Sequence, residues 1–354
     1  MTILNSDIYY LISIKLHSIE DLQNFCIINK PVSQICSKYK SNISKHFLQT
    51  YQVNYKDPSN FIYLYNSVKI EDYKEFGKWK YSSLLKLYLK NYNKLTINTS
   101  YKNITSFPIY PNMTGFFGNY NQLTSFPIQP KMTHFIGYNN QLTSFPIQPK
   151  MIRFSGENNQ LTSFPIQPQM TRFNGCNNRL TSFPIQPKMT SFYGNDNGLT
   201  SFSIQPEMVD FCGYNNQLTS FSIQPKMRDF TGFNNVLTSF SIQPKMIEFY
   251  GNDNGLTSFP IQPKMEDFYG DNNGLTSFPI QPKMIHFHGN NNHLTSFPIQ
   301  SEMTHFFGEN NQLTSFPVQP RMTHFCGNNN HLTSFPIQPE VTHFLVNSTN
   351  ELLL

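Results

Sequence analysis

The stretch Leu123–Gln141, LTSFPIQPKMTHFIGYNNQ, recurs every 19 residues from about Ile104 toward the end of a 354-residue chain. A fixed short period constrains the fold strongly, because a unit of this size cannot bury its own apolar face and must stack on its neighbours. Length then counts coils rather than independent cores. Within a unit, side chains of a short strand alternate, so Phe135 and Gly137 are expected inside and His134, Ile136 and Tyr138 outside. Gly137 is expected to be glycine because a third large side chain would overpack so narrow a coil. The return segment is expected to contribute Phe145 and Ile147. Its flanking Pro146 and Pro149 remove backbone donors and favour an extended, polyproline-like path. Nineteen residues per turn leave no room for a convex helix. Asn140 and its equivalents, from Asn121 to Asn330, are expected to satisfy buried backbone groups of the turn from coil to coil.

The first 94 residues lack the repeat. Ser6 or Asp7 can cap a helix carrying Ile8, Leu11, Ile12 and Leu16, and Ile19, Leu22, Phe25 and Ile28 continue on a second. Pro31 interrupts, and Val32, Ile35 and Cys36 suit a third. Asp57-Pro58 reads as a cap and first-turn proline ahead of Phe61, Leu64 and Val68, and Tyr81 to Tyr92 carries four leucines. The expected class is therefore α+β: an all-helical N-terminal domain followed by a solenoid with parallel strands on its concave face and an extended convex side. The expected divisions are a helical module over 1–46, a connector over 47–94, the solenoid over 95–346 and a terminal cap over 347–354.

Met132, Phe135, Gly137, Asn140 and Leu142 are spaced as in the leucine-rich-repeat pattern L-x-x-L-x-L-x-x-N-x-L, with Met, Phe and Gly standing in for leucines. The array resembles that family, and its T-S-F-P segment resembles the short repeats of bacterial effectors. The order Leu4, Ile8, Leu11, Ile12, Leu16, Asp21, Leu22, Phe25, Lys30, Ile35, Cys36 resembles an F-box. It departs in having Leu4-Asn5 for the usual Leu-Pro and no Trp after Lys30. Proteins joining such a start to such repeats are typical of giant DNA viruses and amoebae. The resemblance implies that Leu4, Ile8, Leu11, Ile12, Leu16 and Leu22 dock on a Skp1-type adaptor of a ubiquitin ligase while the array holds a target. The same apolar periodicity also suits a plain helical cap over the open end of the array.

Charge argues against a nucleic-acid groove. The net charge is +5, but residues 1–94 hold 13 Lys/Arg against 7 Asp/Glu, and the rest hold 13 against 14. A nearly neutral array lacks the basic footprint that phosphate binding requires. Cys26, Cys36, Cys176, Cys212 and Cys326 show no paired spacing, which indicates neither a disulfide framework nor a zinc site and fits a reducing compartment. No apolar run approaches the roughly 20 residues that span a bilayer. The expected setting is the cytoplasm, that of a host if the protein is viral.

Specific function must sit where the copies differ. One outward column runs Gly115, His134, Arg153, Arg172, Ser191, Asp210, Asp229, Glu248, Asp267, His286, His305, His324, His343. Four consecutive acids on neighbouring strands repel unless a partner offsets them. Aromatics on the same face, Tyr193, Tyr250, Tyr269, Phe307, Tyr214 and Phe233, are favoured anchors for protein recognition. The candidate partner-binding residues are Arg153, Arg172, Tyr193, Asp210, Asp229, Glu248, Tyr250, Asp267, Tyr269, His286, His305 and His324. Block duplication that merely carried solvated charges along is the alternative. A metal site around His286, His288 and His305, or a pH-sensitive surface, is suggested by the histidines. No carboxylate or cysteine completes a recognisable ligand set, so no metal or cofactor is expected. The methionines recur once per unit from Met113 to Met322 at a consensus leucine position, which reads as core. No phosphate-binding loop or distinct nucleophile is present, so an enzyme is not expected.

Overall fold

The structure, a computed structural model, describes residues 95–110 and 113–346. The helical module expected over 1–46, with its proposed adaptor contacts, the connector over 47–94 and the cap over 347–354 lie outside the described residues. The described strands are β1 (Leu95–Asn98), β2 (Met113–Phe117), β3 (His134–Ile136), β4 (Arg153–Ser155), β5 (Arg172–Asn174), β6 (Ser191–Tyr193) and β7 (Asp210–Cys212). They continue as β8 (Asp229–Thr231), β9 (Glu248–Tyr250), β10 (Asp267–Tyr269), β11 (His286–His288), β12 (His305–Phe307), β13 (His324–Cys326) and β14 (His343–Leu345). No helix occurs among the described residues.

The expected α+β class is therefore corrected: what is described is a parallel β-solenoid. Within it, a three-residue strand and a proline-punctuated return consume the whole 19-residue period and leave no length for a helix, as expected, while the helices of the expected class belong to residues 1–94, outside the described residues.

The described chain forms two compact units. In the first, β1 pairs with β2 across a register shift at Leu95/Thr96, and β2 pairs with β3 so that Gly115 lies beside His134 and Phe116 beside Phe135. Ile97, Met113, Phe116, Leu123, Met132 and Phe135 are fully buried there. The second unit contains β4 to β14, paired in chain order and in parallel, each strand in strict register with the next.

One coil of the second unit shows the design. Leu256, Phe259, Gln262, Met265 and Phe268 all point inward, each at most 5% exposed. They recur at every third position, which is the period of a polyproline-type path rather than the two-residue alternation of a strand. That period fits the polyproline-like path expected of the return segment and corrects only the place of Ile147. Ile261 and its equivalents from Ile128 to Ile299, Ile147 included, stand about half exposed, and the glutamine beside each is buried instead.

The buried glutamine closes the return side. Gln281 Oε1 accepts the Gln262 backbone N–H at 2.7 Å, and Gln281 Nε2 donates to the Pro260 carbonyl at 3.0 Å. One side-chain amide thus does for the previous coil what a neighbouring strand would otherwise do. The same clasp repeats from Gln167 to Gln338, and in the first unit Gln129 clasps Tyr110 and Pro108.

The turn after each strand is closed by asparagine, as the sequence suggested. Asn273 Oδ1 accepts the Leu256 N–H at 3.0 Å, while its amide donates to the carbonyls of Gly251 and Gly270. The residue before it, Asn272, has φ of 57°, a left-handed conformation that Asn and Asp tolerate better than other side chains. Every equivalent position from Asn139 to Asn329 is Asn or Asp.

Two columns of phenylalanine fill the interior. Phe268 stacks on Phe287 at 5.4 Å and Phe259 on Phe278 at 5.9 Å, while Phe259 meets Phe268 edge-on at 4.9 Å. Each such pair adds about 0.5–1.5 kcal/mol beyond burial. The ring also dictates the glycine: a Cβ on Gly270 would lie 2.3 Å from Cζ of Phe268. Gly137 is likewise buried, and a Cβ there would lie 2.4 Å from Cζ of Phe135.

These roles make an unusual expectation for unfolding in urea followed by circular dichroism. Gln281→Leu, which raises hydrophobicity at a buried position, should destabilise by about 1–3 kcal/mol because it orphans a buried N–H. Gly270→Ala should also cost about 1–3 kcal/mol through overpacking. Ile280→Asn should stay within about 0.5 kcal/mol of the parent, as exposed substitutions do. A Gln281→Leu protein as stable as the parent would refute the clasp.

Candidate functional site

The solenoid fixes the outward face of β4 to β14 as two lanes, one from the first residue of each strand and one from the third. Because pairing is in register, side chains in a lane are direct neighbours. Arg153 lies beside Arg172 and then Ser191, and Ser191 donates to the Asp210 carboxylate at 3.0 Å. Asp210, Asp229, Glu248 and Asp267 follow side by side. His286 comes next, its Nδ1 2.5 Å from Asp267 Oδ1, and then His305, His324 and His343.

The third-position lane gathers the aromatics. Tyr250, Tyr269, His288 and Phe307 form one continuous stack with ring centroids 4.6, 4.4 and 4.4 Å apart. Tyr193 stands apart from it, between Asn174 and Cys212. Tyr214 and Phe233 stack on each other at 4.3 Å in the loop row beyond the strands. The suggested trio of His286, His288 and His305 is divided, since His288 belongs to the aromatic stack and the other two to the first lane. Among the described residues no group of three or more His, Cys, Asp or Glu side chains is placed to enclose a metal ion.

Crowding of like groups perturbs both lanes. Burial, then the neighbouring Glu248 and Asp210 carboxylates, pushes Asp229 up to about 6. Burial, then His286 and His305, pushes His288 down to about 4. His305 is lowered by burial and by His324, His286 and His343. Tyr250 is raised to about 12, by burial first and then by Glu248. The thiols of Cys176, Cys212 and Cys326 are raised to about 12, 11 and 12, chiefly by burial, so all three stay protonated and weakly nucleophilic at neutral pH.

Two features of this region escaped the sequence reading. The signal of the glutamine clasp is a polar residue that is Gln in every copy from Gln129 to Gln338. The second is a set of threonine hydroxyls just ahead of the strands, Thr304, Thr323 and Thr342, each touching the imidazole that follows it. Their signal was the recurring Thr-His pair.

No protein-family model matches this chain, and no curated protein matches its sequence. Solved structures do resemble it. YopM of Yersinia pestis, described as a leucine-rich effector protein, is 18% identical with a TM-score of 0.55, over 80% of this chain and 91% of that one. The leucine-rich repeat domain of APL1B is 16% identical with a TM-score of 0.56, over 72% of this chain and 85% of that one. A chain from an octameric complex of Latrophilin 3, Unc5D and the FLRT2 leucine-rich repeats is 15% identical with a TM-score of 0.50, over 62% and 82%. The fold is a leucine-rich-repeat solenoid.

The raised Asp229 sets an expected pH response. With a folded pKa near 6 against 3.8 for the free side chain, the folded state binds the extra proton between those values, so this group lowers stability as pH rises through about 4 to 6. Asp229→Asn should remove that slope and leave the array more stable than the parent at pH 7. Melting temperatures of parent and variant from pH 4 to pH 8 check this; parallel curves would show that Asp229 titrates normally.

Proposed function

We propose that the array is a protein-binding scaffold whose recognition surface is the outward face of β4 to β14. The observation that carries this reading is the contrast between a core that repeats almost without change and a face divided into unlike blocks. Cationic Arg153 and Arg172 give way to the acids Asp210 to Asp267 and then to histidines, with the Tyr250–Phe307 stack beside them. Aromatic groups flanked by charge are the composition that protein interfaces favour. One matched solenoid comes from a multi-protein complex of Latrophilin 3, Unc5D and FLRT2, which supports the same use of the fold. Binding rather than catalysis is the proposed activity.

In its fuller form the proposal is a substrate receptor of a ubiquitin ligase, acting in the cytoplasm. The order of apolar residues from Leu4 to Leu22 supports docking on a Skp1-type adaptor, while the array holds the target. The plain scaffold, without a ligase link, is the coarser reading.

Affinity capture with the intact chain, followed by mass spectrometry, separates them. A target captured by the parent should fall roughly tenfold or more with Tyr250→Ala plus Tyr269→Ala, since anchors at an interface centre are worth about 2 kcal/mol or more. Ile280→Asn on the return side should leave capture unchanged. Capture that ignores the tyrosines would overturn the assigned face. A Skp1-type protein should co-purify and be lost on Leu11→Glu plus Leu16→Glu; its absence from the parent would end the ligase reading alone.

A further inference from the structure

The return side of the second unit presents a surface that a target on the strand face leaves unused. In a path with three residues per turn, one row points inward and two rows point out. Ile261 and Lys264 belong to one outward row, about 9 Å apart along the chain. Stacking the coils turns such pairs into two parallel ranks. Ile223, Ile242, Ile261 and Ile280 form a half-exposed apolar rank, and Lys226, Lys245, Lys264 and Lys283 form an exposed cationic rank beside it. Lys226 pairs with Glu207 of the coil before, but among the described residues Lys245, Lys264 and Lys283 have no acidic partner. A continuous apolar rank rimmed by charge marks an interaction surface rather than ordinary solvated surface.

The strand face of the same unit carries the complement. Asp210, Asp229, Glu248 and Asp267 lie on consecutive coils, with Tyr250 and Tyr269 in the lane beside them. Both charged ranks repeat once per coil. Ring centroids are 5.4 Å apart on the strand side and 5.9 Å on the return side, so the strand face is concave and the return face convex. That difference of about 0.5 Å per coil is within the reach of flexible lysine stems over four coils. A closed coil runs its return segment against the direction of its strand. Translating one copy onto another therefore sets lysines over acids and isoleucines over the tyrosine lane. The ends of the two runs also match, since Glu207 then faces Ser191 and Glu302 faces His286. A slip of one coil either way drives one of those glutamates against an acid, and the fit ends where Arg172 would meet Lys188.

We propose that the Ile223–Ile280 and Lys226–Lys283 ranks dock on the Asp210–Asp267 segment of a second copy of this chain, convex face into concave face. This rests on the reading of the strand face as a recognition surface and names a partner for its acidic segment. Each copy keeps one free strand face or one free return face at the ends of the stack, so the contact is heterologous and association is open-ended.

Sedimentation velocity of the purified full-length chain over a concentration series tests this. The parent should give sedimentation coefficients that climb with concentration past the dimer. The climb should fade as salt rises from about 0.1 M to about 1 M and the Debye length falls from about 10 Å to about 3 Å. Lys245→Glu plus Lys264→Glu should weaken association at least roughly tenfold, as should Asp229→Lys plus Glu248→Lys, because each sets like charges against each other. An equimolar mixture of the two variants should associate again, since each reversed face then meets its complement. Circular dichroism melts check that both are folded, and the exposed lysine pair decides by itself if the acid pair fails to fold. A parent that stays monomeric overturns the proposal, as does a closed dimer, association that survives the lysine reversal, or a mixture of folded variants that stays monomeric. A monomer that instead co-sediments with phosphatidylserine vesicles would assign the return face to anionic lipid and overturns it too. Capture of a target through Tyr250 and Tyr269 remains a separate measure of the strand face.

Discussion

A coil of 19 residues whose return segment carries prolines cannot close its own hydrogen bonds. Three strand residues pair with the next coil, but the far side has no strand, and prolines remove donors there. Among the groups left there are a buried N–H and a part-buried carbonyl in each coil, and an unmatched buried group costs about 1–3 kcal/mol. The Gln281 amide meets both at once for the preceding coil, and Asn273 does the equivalent work at the strand turn. The solenoid depends on these two amides. The phenylalanine columns give cohesion, but hydrophobic burial is indifferent to register. Amides that fit only one N–H and one carbonyl of the coil before fix the offset at 19 residues.

Strict register has a consequence on the opposite surface. A sheet whose strands could slip would let like charges move apart, whereas the clasped coils hold Asp210, Asp229, Glu248 and Asp267 in adjacent positions. Repulsion that geometry does not relieve appears as a shift in proton affinity, which is why Asp229 is raised. The stacking of Tyr250, Tyr269, His288 and Phe307 has the same origin. The core therefore sets the chemistry of the face without contributing a single exposed group to it.

Much of this could be read before the structure, because copies within one chain report which positions the coil cannot vary. That invariance together with strand alternation places Phe135, Gly137, Asn140 and Leu142, and the turn asparagines bond as expected. Ile147 differs for a physical reason. The inward residues of that segment, Phe145, Gln148 and Met151, recur every third position, which leaves Ile147 outside although it is the more hydrophobic neighbour of Gln148. Hydrophobicity ranks side chains by transfer from water, and it cannot show that a buried backbone pair is waiting for an amide. The grouping of His286, His288 and His305 failed similarly, since proximity in sequence does not separate first-position from third-position lanes.

The outward face is best understood in blocks rather than residues. In a solenoid each coil meets only its two neighbours, so an outward side chain feels mainly the equivalents 19 residues before and after it. A lone Asp between Arg and His would behave as an isolated surface charge, worth little and screened by salt. Runs of like residues behave otherwise. Asp229, between two carboxylates, titrates near 6, and His305, between two imidazoles, is held below its usual value. The properties that set this face apart from ordinary solvated surface belong to neighbours of the same kind, and they vanish if one copy in a run is replaced. Selection for such a face would act on whole stretches of coils, and a partner would meet an arginine segment, an acidic segment and an imidazole segment in fixed order along one rigid axis.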